Sequence, residues 1–387
     1  MRAPILRFAE FTDDWEETTL ENLAEVERGK FSVRPRNDPR YFGGEMPFVQ
    51  TGDVTGSDMY LKGYSQTLNA DGIKVSKVFP ADTILITIAA NIGDTTITQY
   101  AVACPDSVVA IQAKKDLANT IFLKNLIDLQ KENLDSQATQ NAQKNINLQV
   151  LKPLQLIAPS KAEQTKITTF LSAVDEKISQ LSQKLHLLGQ YKQGMMQKLF
   201  SQQIRFKADD GSDFEEWKEN KFGECINVFD NLRKPISASE RIAGNTPYYG
   251  ANGIQSYIDG YTHDGEFILI AEDGANDLIN YPIQYVNGKI WVNNHAHVVS
   301  GHHEKIQNKF LKYRLKSIDF TKYLVGGGRA KLNAGAMKEI SFSAPCLEEQ
   351  TKIADFLSSI DQKIDVVSEQ LEQAKLWKKG LLQQMFV

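Results

Sequence analysis

The six residues AEQTKI at 162–167 return 186 positions later as EEQTKI at 348–353. Held at that offset without a gap, APSKAEQTKITTFLSAVDEKISQ (158–180) lies over APCLEEQTKIADFLSSIDQKIDV (344–366). The match runs forward through Gly194 and Gly380 to Phe200 and Phe386, and backward to Asn147 with Asn333 and Lys152 with Lys338. A second repeat joins LRFAEFTDDWEE (6–17) to IRFKADDGSDFEEW (204–217). Arg7-Phe8 falls on Arg205-Phe206, and Trp15 falls on Trp217 after a four-residue insertion. The chain therefore reads as variable module, repeated segment, variable module, repeated segment. Two copies are too few for a solenoid. The boundaries fall at 1–157, 158–200, 201–343 and 344–387.

The register of the repeats also constrains where the chain passes. Residue 3 corresponds to residue 201 through the second repeat, and residue 387 corresponds to it through the first. If the halves are equivalent, the segment around Arg7 lies beside the end of the second repeated segment.

Each repeated segment is patterned as a long helix. Leu171, Ile178, Leu185, Lys192 and Leu199 recur every seven residues, with Val174, Leu181, Leu188 and Met195 three positions after the first four. The second copy places Leu357, Ile364, Leu371, Lys378 and Met385 at a, and Ile360, Val367, Ala374 and Leu381 at d. Such a seam predicts two helices packed on each other as a coiled coil, each about 60 Å long at 1.5 Å per residue. The polar a residue, Lys192 or Lys378, falls at the same place in both copies and predicts a fixed register. Ser160 and Glu163, just after Pro159, have the spacing of a capping box. Gly194 and Gly380, costly inside a helix, predict close approach of another backbone.

The variable modules, 18–150 and 222–336, share no visible sequence. Both carry short β-rich runs, among them TILITIAA (83–90), EFILIAED (266–273) and KIWVNNHAHVV (289–299), with a helix near 119–134. The fold class is α+β: two β-rich domains joined by two long helices in an antiparallel coiled coil, with an internal pseudo-two-fold repeat.

Catalytic signatures do not assemble. Both Gly-Lys pairs, Gly29-Lys30 and Gly288-Lys289, lack the Ser or Thr of a phosphate-binding loop. DPRY at 38–41 is close to the [DN]PP[YFW] motif of adenine methyltransferases. Arg40 replaces its second proline, and no Gly-rich cofactor loop precedes it. His295 and His297 share a strand face, but no obvious carboxylate or thiol completes a zinc set, and strand packing is their expected use. Cys104, Cys225 and Cys346 are too widely spaced for a disulfide framework and read as buried thiols. The apolar run ILITIAANI is too short to cross a bilayer, and a cytoplasmic protein is expected.

A net charge of −4 excludes nucleic-acid binding by bulk electrostatics, so any such contact must be local. Only the segment 151–200 is net basic, with 7 Lys and Arg against 3 Asp and Glu. RGKFSVRPRNDPRYFGG (28–44) concentrates Lys30, Arg34, Arg36 and Arg40 beside Tyr41 in an otherwise acidic module. Arginine forks onto phosphate or guanine edges, which suits such a loop to DNA. In the second module Arg233 and Lys234, and Arg329 and Lys331 within VGGGRAKLN (325–333), are the equivalent candidates. Gln143 and Lys144 in QNAQKNIN (140–147) are the first module's counterpart of that Gly-rich loop.

With this order of modules, seams and phrases, the chain resembles the specificity subunit of a type I DNA restriction-modification enzyme over its whole length. The pattern P…EQ…I…L…D…I carries the resemblance. Here it is Pro159, Glu163, Gln164, Ile167, Leu171, Asp175 and Ile178, and again Pro345, Glu349, Gln350, Ile353, Leu357, Asp361 and Ile364. YYGANGIQSYIDGY, containing Tyr249 and Asn252, and VNNHAHVV resemble stretches of such target-recognition domains. The resemblance implies a subunit without catalytic activity or cofactor of its own that reads double-stranded DNA at a bipartite site, one half per domain. It also implies two DNA adenine methyltransferase subunits using S-adenosylmethionine, and restriction subunits using ATP and Mg. The alternative is a coiled-coil scaffold whose two domains bind proteins.

Overall fold

The computed structural model describes residues 3–89, 91–138, 145–326 and 330–386. The chain divides into two compact units, 1–180 with 371–387, and 181–370. Both long helices, Lys161–Phe200 and Leu347–Met385, therefore give one half to each unit.

In the first unit, two four-stranded sheets form the variable module. One runs Ala24–Arg28, Val108–Ala113, Ile84–Thr87, Thr95–Ile97, all antiparallel. Ile84–Thr87 is buried at every position, which is why it reads as an unbroken apolar run instead of an alternating one. The other sheet runs Gln66–Leu68, Phe42–Phe48, Val102–Ala103, Val78–Phe79, with a parallel pairing of Phe48 and Ala103. The helix predicted near 119–134 is two helices, Thr120–Leu129 and Lys131–Ala138.

The second unit holds one six-stranded sheet, in the order Ile226–Val228, Ala296–Gly301, His263–Ala271, Ile283–Val292, Ala243–Gly250, Gly253–Ile258. The run at 289–299 is thus two strands broken at Asn293–His295, where Asn293 Oδ1 accepts the His295 N–H at 2.8 Å.

Around these unlike sheets the frame is the same. Glu16–Thr19 pairs antiparallel with Gln155–Ala158 in the first unit, and Lys218–Lys221 pairs with Ser341–Ala344 in the second. A single turn of helix follows the first strand in each, Leu20–Leu23 and Phe222–Cys225. Asn147 and Asn333 each cap a short helix by accepting the N–H three residues on.

The helix halves pack within each unit. In the first, Ile167, Leu171 and Val174 share a core with Leu381, Met385 and Phe386, and Ile178 packs against it. Phe170 meets Trp377 edge-on at 6.0 Å, Asp175 pairs with Lys378 at 2.5 Å, and Phe386 stacks on Phe122. Because Phe386 also meets Trp15, which is bonded to Glu163 at the start of the first long helix, the two segments run in opposite directions. In the second unit, Leu199 and Phe200 share a core with Ile353, Leu357 and Ile360, and Ile364 packs against it. Lys192 there pairs with Asp361. Leu181, Val367 and Leu371 are buried, while Leu185 and Leu188 are half-buried.

Two helix expectations change. Glu163 gives its N–H to Ser160 Oγ at 3.4 Å, but its carboxylate does not return to Ser160, having stronger donors elsewhere, so half of the capping box forms. Among the described residues nothing lies within 4 Å of a Cβ built on Gly194 or Gly380, so none of their backbone explains these glycines. Cys104 and Cys225 are buried, and burial pushes the Cys104 thiol up to about 12. Cys346 is exposed, because it stands just outside the second long helix, where its carbonyl accepts the Gln350 N–H and its side chain turns to solvent.

Asp361 receives Tyr313 Oη at 2.6 Å and Lys312 Nζ at 3.0 Å besides Lys192. Burial raises its pKa, but the hydrogen bonds from Lys192, Tyr313 and Lys312 outweigh it and bring the carboxyl down to about 2. A depressed carboxyl pKa stabilises the fold above its unfolded value and loses that contribution as pH falls through the folded value, here from about 4 to about 2. The stability advantage of the parent over Asp361→Asn, about 2 kcal/mol near neutrality, should shrink as denaturation is repeated from pH 5 downward. An advantage that stays constant contradicts the assignment.

The N–H of Leu6 donates to the carbonyl of Gln384 at 2.8 Å, so the segment before Arg7 does lie beside the end of the second long helix. A permuted chain joining residue 387 to residue 3 through a short linker and opened near Ser201 should fold with unchanged thermal stability to within a few degrees. A permuted chain that is soluble but melts far lower, by calorimetry, refutes the equivalence of the two junctions.

Candidate functional site

The phrase that repeats is the point at which each long helix is fastened to its module. Glu163 is buried, and its carboxylate takes Arg7 Nε and Nη2, both at 2.7 Å, and the Trp15 indole N–H at 3.2 Å. Glu349 is likewise buried and takes Arg205 Nε at 3.2 Å, Arg205 Nη2 at 2.9 Å and the Trp217 indole at 3.2 Å. Arg7 Nη2 donates also to the carbonyl of Asp13, and Arg205 Nη2 to that of Glu215. The hydrogen bonds that each arginine donates to its glutamate raise its pKa. The next residue completes the fastening. Gln164 accepts the Asn119 N–H and donates to the carbonyls of Leu117 and Pro159, while Gln350 accepts the Gln307 N–H and donates to those of Lys305 and Pro345. The sequence shows both halves of this cluster as repeats, RF…W and EQ, without showing that they meet. The available signal was that both halves were doubled together.

In the first module the basic loop is exposed at Lys30, Arg34, Arg36 and Arg40. Its base is tied down at Gly29, where a Cβ would lie 2.3 Å from the Pro105 carbonyl, so only glycine fits. Arg36 pairs with Asp106 at 2.8 Å and Arg40 with Asp38 at 2.6 Å. Arg34 donates to the carbonyl of Val33. Tyr41 is half-buried against Phe31, with the Arg40 guanidinium 5.7 Å from its ring. Asp38 also accepts the Arg40 N–H, capping a turn of 3-10 helix at Pro39–Tyr41, so DPRY is a structural cap here. Gln143, Lys144 and Arg329 lie outside the described residues.

In the second module several of the expected residues gather around the turn at 272–276. Asn252 donates to the Gly274 carbonyl and accepts the Asn276 N–H. Lys331, half exposed, pairs with Asp273 at 3.0 Å, and its backbone bonds that of Val325 in both directions. Arg233 points inward: its side chain is 15% exposed and donates to Glu272 at 2.6 Å and to the carbonyl of Ala296. Lys234 is exposed, with its ammonium 5.9 Å from the Trp291 ring. Tyr249 is half-buried, in register with Val292, and burial followed by the neighbouring Tyr257 raises its phenol pKa. Sequence reasoning passed over Arg241, whose guanidinium lies 4.0 Å from the Tyr248 ring centre and bonds Ser256.

Among the described residues one group has metal-ligand character: Asp230, Glu272 and His297 offer ligand atoms within 4.8 Å of one another. Arg233 bridges both carboxylates, and His297 lies between Asp230 Oδ2 at 2.6 Å and the Leu332 carbonyl at 2.8 Å. Its ligand atoms are thus already engaged, and the group ties the strand Ala296–Gly301 to the turn Asp230–Leu232 and to Glu272. His295 lies outside that group, 3.8 Å from Asp273. No helix among the described residues is long and apolar enough to cross a membrane.

The model of the type I restriction modification DNA specificity domain matches residues 12–188 and again 214–376. The chain belongs to that family. The two matches divide it as the repeat does. A putative type I restriction enzyme specificity subunit of Haemophilus influenzae is 47% identical over 154 residues, covering 40% of this chain and 39% of that protein. The EcoprrI specificity subunit of Escherichia coli is 23% identical over 84% of this chain and 82% of its own length. The putative MjaX specificity subunit of Methanocaldococcus jannaschii is 24% identical over 96% and 93%. Among solved structures, the type I restriction-modification S subunit from M. genitalium superposes with a TM-score of 0.67 at 19% identity, over 100% of this chain and 99% of that one.

Replacing Glu349 with glutamine keeps its shape but leaves Arg205 facing a neutral amide. Breaking one side of a buried ion pair costs about 3 kcal/mol. Glu349→Gln should lower the denaturant midpoint accordingly, whereas Arg205→Met with Glu349→Leu should recover much of the loss. A single variant as stable as the parent would sink the fastening role.

Proposed function

We propose that this chain is the sequence-specific DNA-binding specificity subunit of a type I restriction-modification complex, without catalytic activity of its own. The observation that carries the reading is one repeated frame holding two unlike β-rich modules. Such a frame suits a reader of a two-part site, one half per module. Base contacts would specify and phosphate contacts position, with the exposed cations of the loop at 28–44, Lys234 and Lys331 as the candidates. The two long helices form an antiparallel coiled coil that sets the spacing between the half-sites and docks two methyltransferase subunits. Restriction subunits complete the complex, and S-adenosylmethionine, ATP and Mg act on the partners. Tyr191 and Trp377, at equivalent positions of the repeat, are 51% and 54% exposed, which supports two like docking faces on the helices.

The test is retention and methylation of DNA by the subunit assembled with its methyltransferase. The complex should methylate one bipartite sequence in the host genome, and Arg34, Arg36 and Arg40 changed together to Ala should weaken its binding and lower the salt slope by up to about 3. Four residues inserted at matched positions of the helices should alter the half-site spacing and neither half. A complex that retains no DNA selectively returns the protein to the scaffold alternative, and an unchanged spacing removes the helices as the ruler.

A further inference from the structure

The second unit contains a cleft of about 670 Å3 between the end of the first long helix and the helix Asn308–Leu315. Lys192, Gln197, Asn280, Arg314, Lys316 and Ser317 are among the residues lining it. No carboxylate among the described residues does. Asp361, which does not line it, is already shared between Lys192, Lys312 and Tyr313, and Glu219 acts on Arg314 without lining the cleft. Arg314 is half-buried against Phe200, 5.4 Å from its ring centre, and its fork reaches the Ser343 carbonyl and Ser317 Oγ. We propose that this cleft binds a phosphate-type oxyanion.

The internal repeat supplies the control. In the first unit, Asn119 gives its N–H to Gln164 as Gln307 does to Gln350, and Phe122 meets Phe386 as Phe310 meets Phe200. This alignment sets Lys312 on Lys124, Arg314 on Leu126 and Lys316 on Asp128. Lys124 pairs with Asp128 at 2.6 Å, and Leu126 is buried in the core. The same frame is therefore neutralised in one unit and left with excess positive charge in the other. Although much of Lys316 reaches solvent, loss of water within the cleft, then repulsion from Lys192 and Lys312, lowers its pKa. Like charges held together in excess over the one carboxylate they share oppose folding, and a bound dianion offsets that opposition. Arginine, lysine, amide and hydroxyl donors are the groups that coordinate tetrahedral oxyanions. The anion comes either from a DNA backbone or from free phosphate.

The test uses the full chain. At about ten times the dissociation constant, inorganic phosphate should raise the melting temperature of the parent by about 3 °C over chloride at matched ionic strength. Lys316→Asp, which installs the first unit's acid, and Lys316→Ala should both abolish the difference, and Lys316→Asp should melt higher than the parent in chloride. Equal phosphate effects in parent and variants, or none in the parent, overturn the site as an adventitious concentration of charge. Binding to duplex DNA in phosphate-free buffer then identifies the source. A salt slope reduced by about 1 in Lys316→Ala assigns a backbone phosphate, and an unchanged slope with the phosphate shift intact assigns the free anion. This readout needs no partner subunit and no recognised sequence, so it can fail while the specificity reading stands.

Discussion

A buried carboxylate decides how each half of this protein is assembled. Taking Glu163 or Glu349 out of water costs several kcal/mol, and only a two-pronged arginine and an indole N–H together restore what water supplied. Those donors come from the other end of the module's sequence, at Arg7 and Trp15 or at Arg205 and Trp217. The start of the helix, the entry of the module and the strand before the helix are therefore fixed to one another. None of the fastening atoms belongs to the sheets, whose sequence can then change without loosening the frame. Two unlike modules on one repeated frame follow from that separation.

A second pair of charges acts along the helices. The lysine in each seam meets the aspartate of the other helix, Lys378 with Asp175 in the first unit and Lys192 with Asp361 in the second. A lysine in an apolar seam is costly unless it finds a carboxylate, and a shift of one turn would leave it without one. Because both partners recur at the same offset of 186, one register satisfies both units. Packing alone does not give this discrimination, since leucine and isoleucine seams tolerate slippage better than an unpaired charge does.

The frame was the legible part of the chain. Repeats and helical periodicity depend on residue type at fixed spacing, and a sequence displays spacing directly. The strand runs at 83–90 and 266–273 were also legible, because central strands buried on both faces are uniformly apolar. The break at Asn293–His295 was hidden by apolar residues on either side of a turn whose polar groups satisfy one another. Side-chain partners were not legible at all. Arg233 and Lys234 are adjacent in sequence, yet one is drawn inward by Glu272 and the other stays in solvent. That outcome depends on a carboxylate some forty residues away, which no local pattern reports. The half-formed capping box is a similar case, as Glu163 has a better donor from far along the chain.

Placement of the charges also explains how an acidic chain can present a basic surface. Arg36, Arg40 and Lys331 each rest on a carboxylate, Asp106, Asp38 or Asp273, while the cation itself remains largely in water. Of the three, Arg36–Asp106 is exposed on both sides, and a pair of that kind is worth little, up to about 1 kcal/mol. Arg233 obeys the opposite logic. Its guanidinium is turned inward between the half-buried Asp230 and Glu272, beside the buried His297, and exchanging these partners for a phosphate would leave two half-buried carboxylates unpaired. What separates these arginines is the exposure of the guanidinium itself, 52% and 79% for Arg36 and Arg40 against 15% for Arg233.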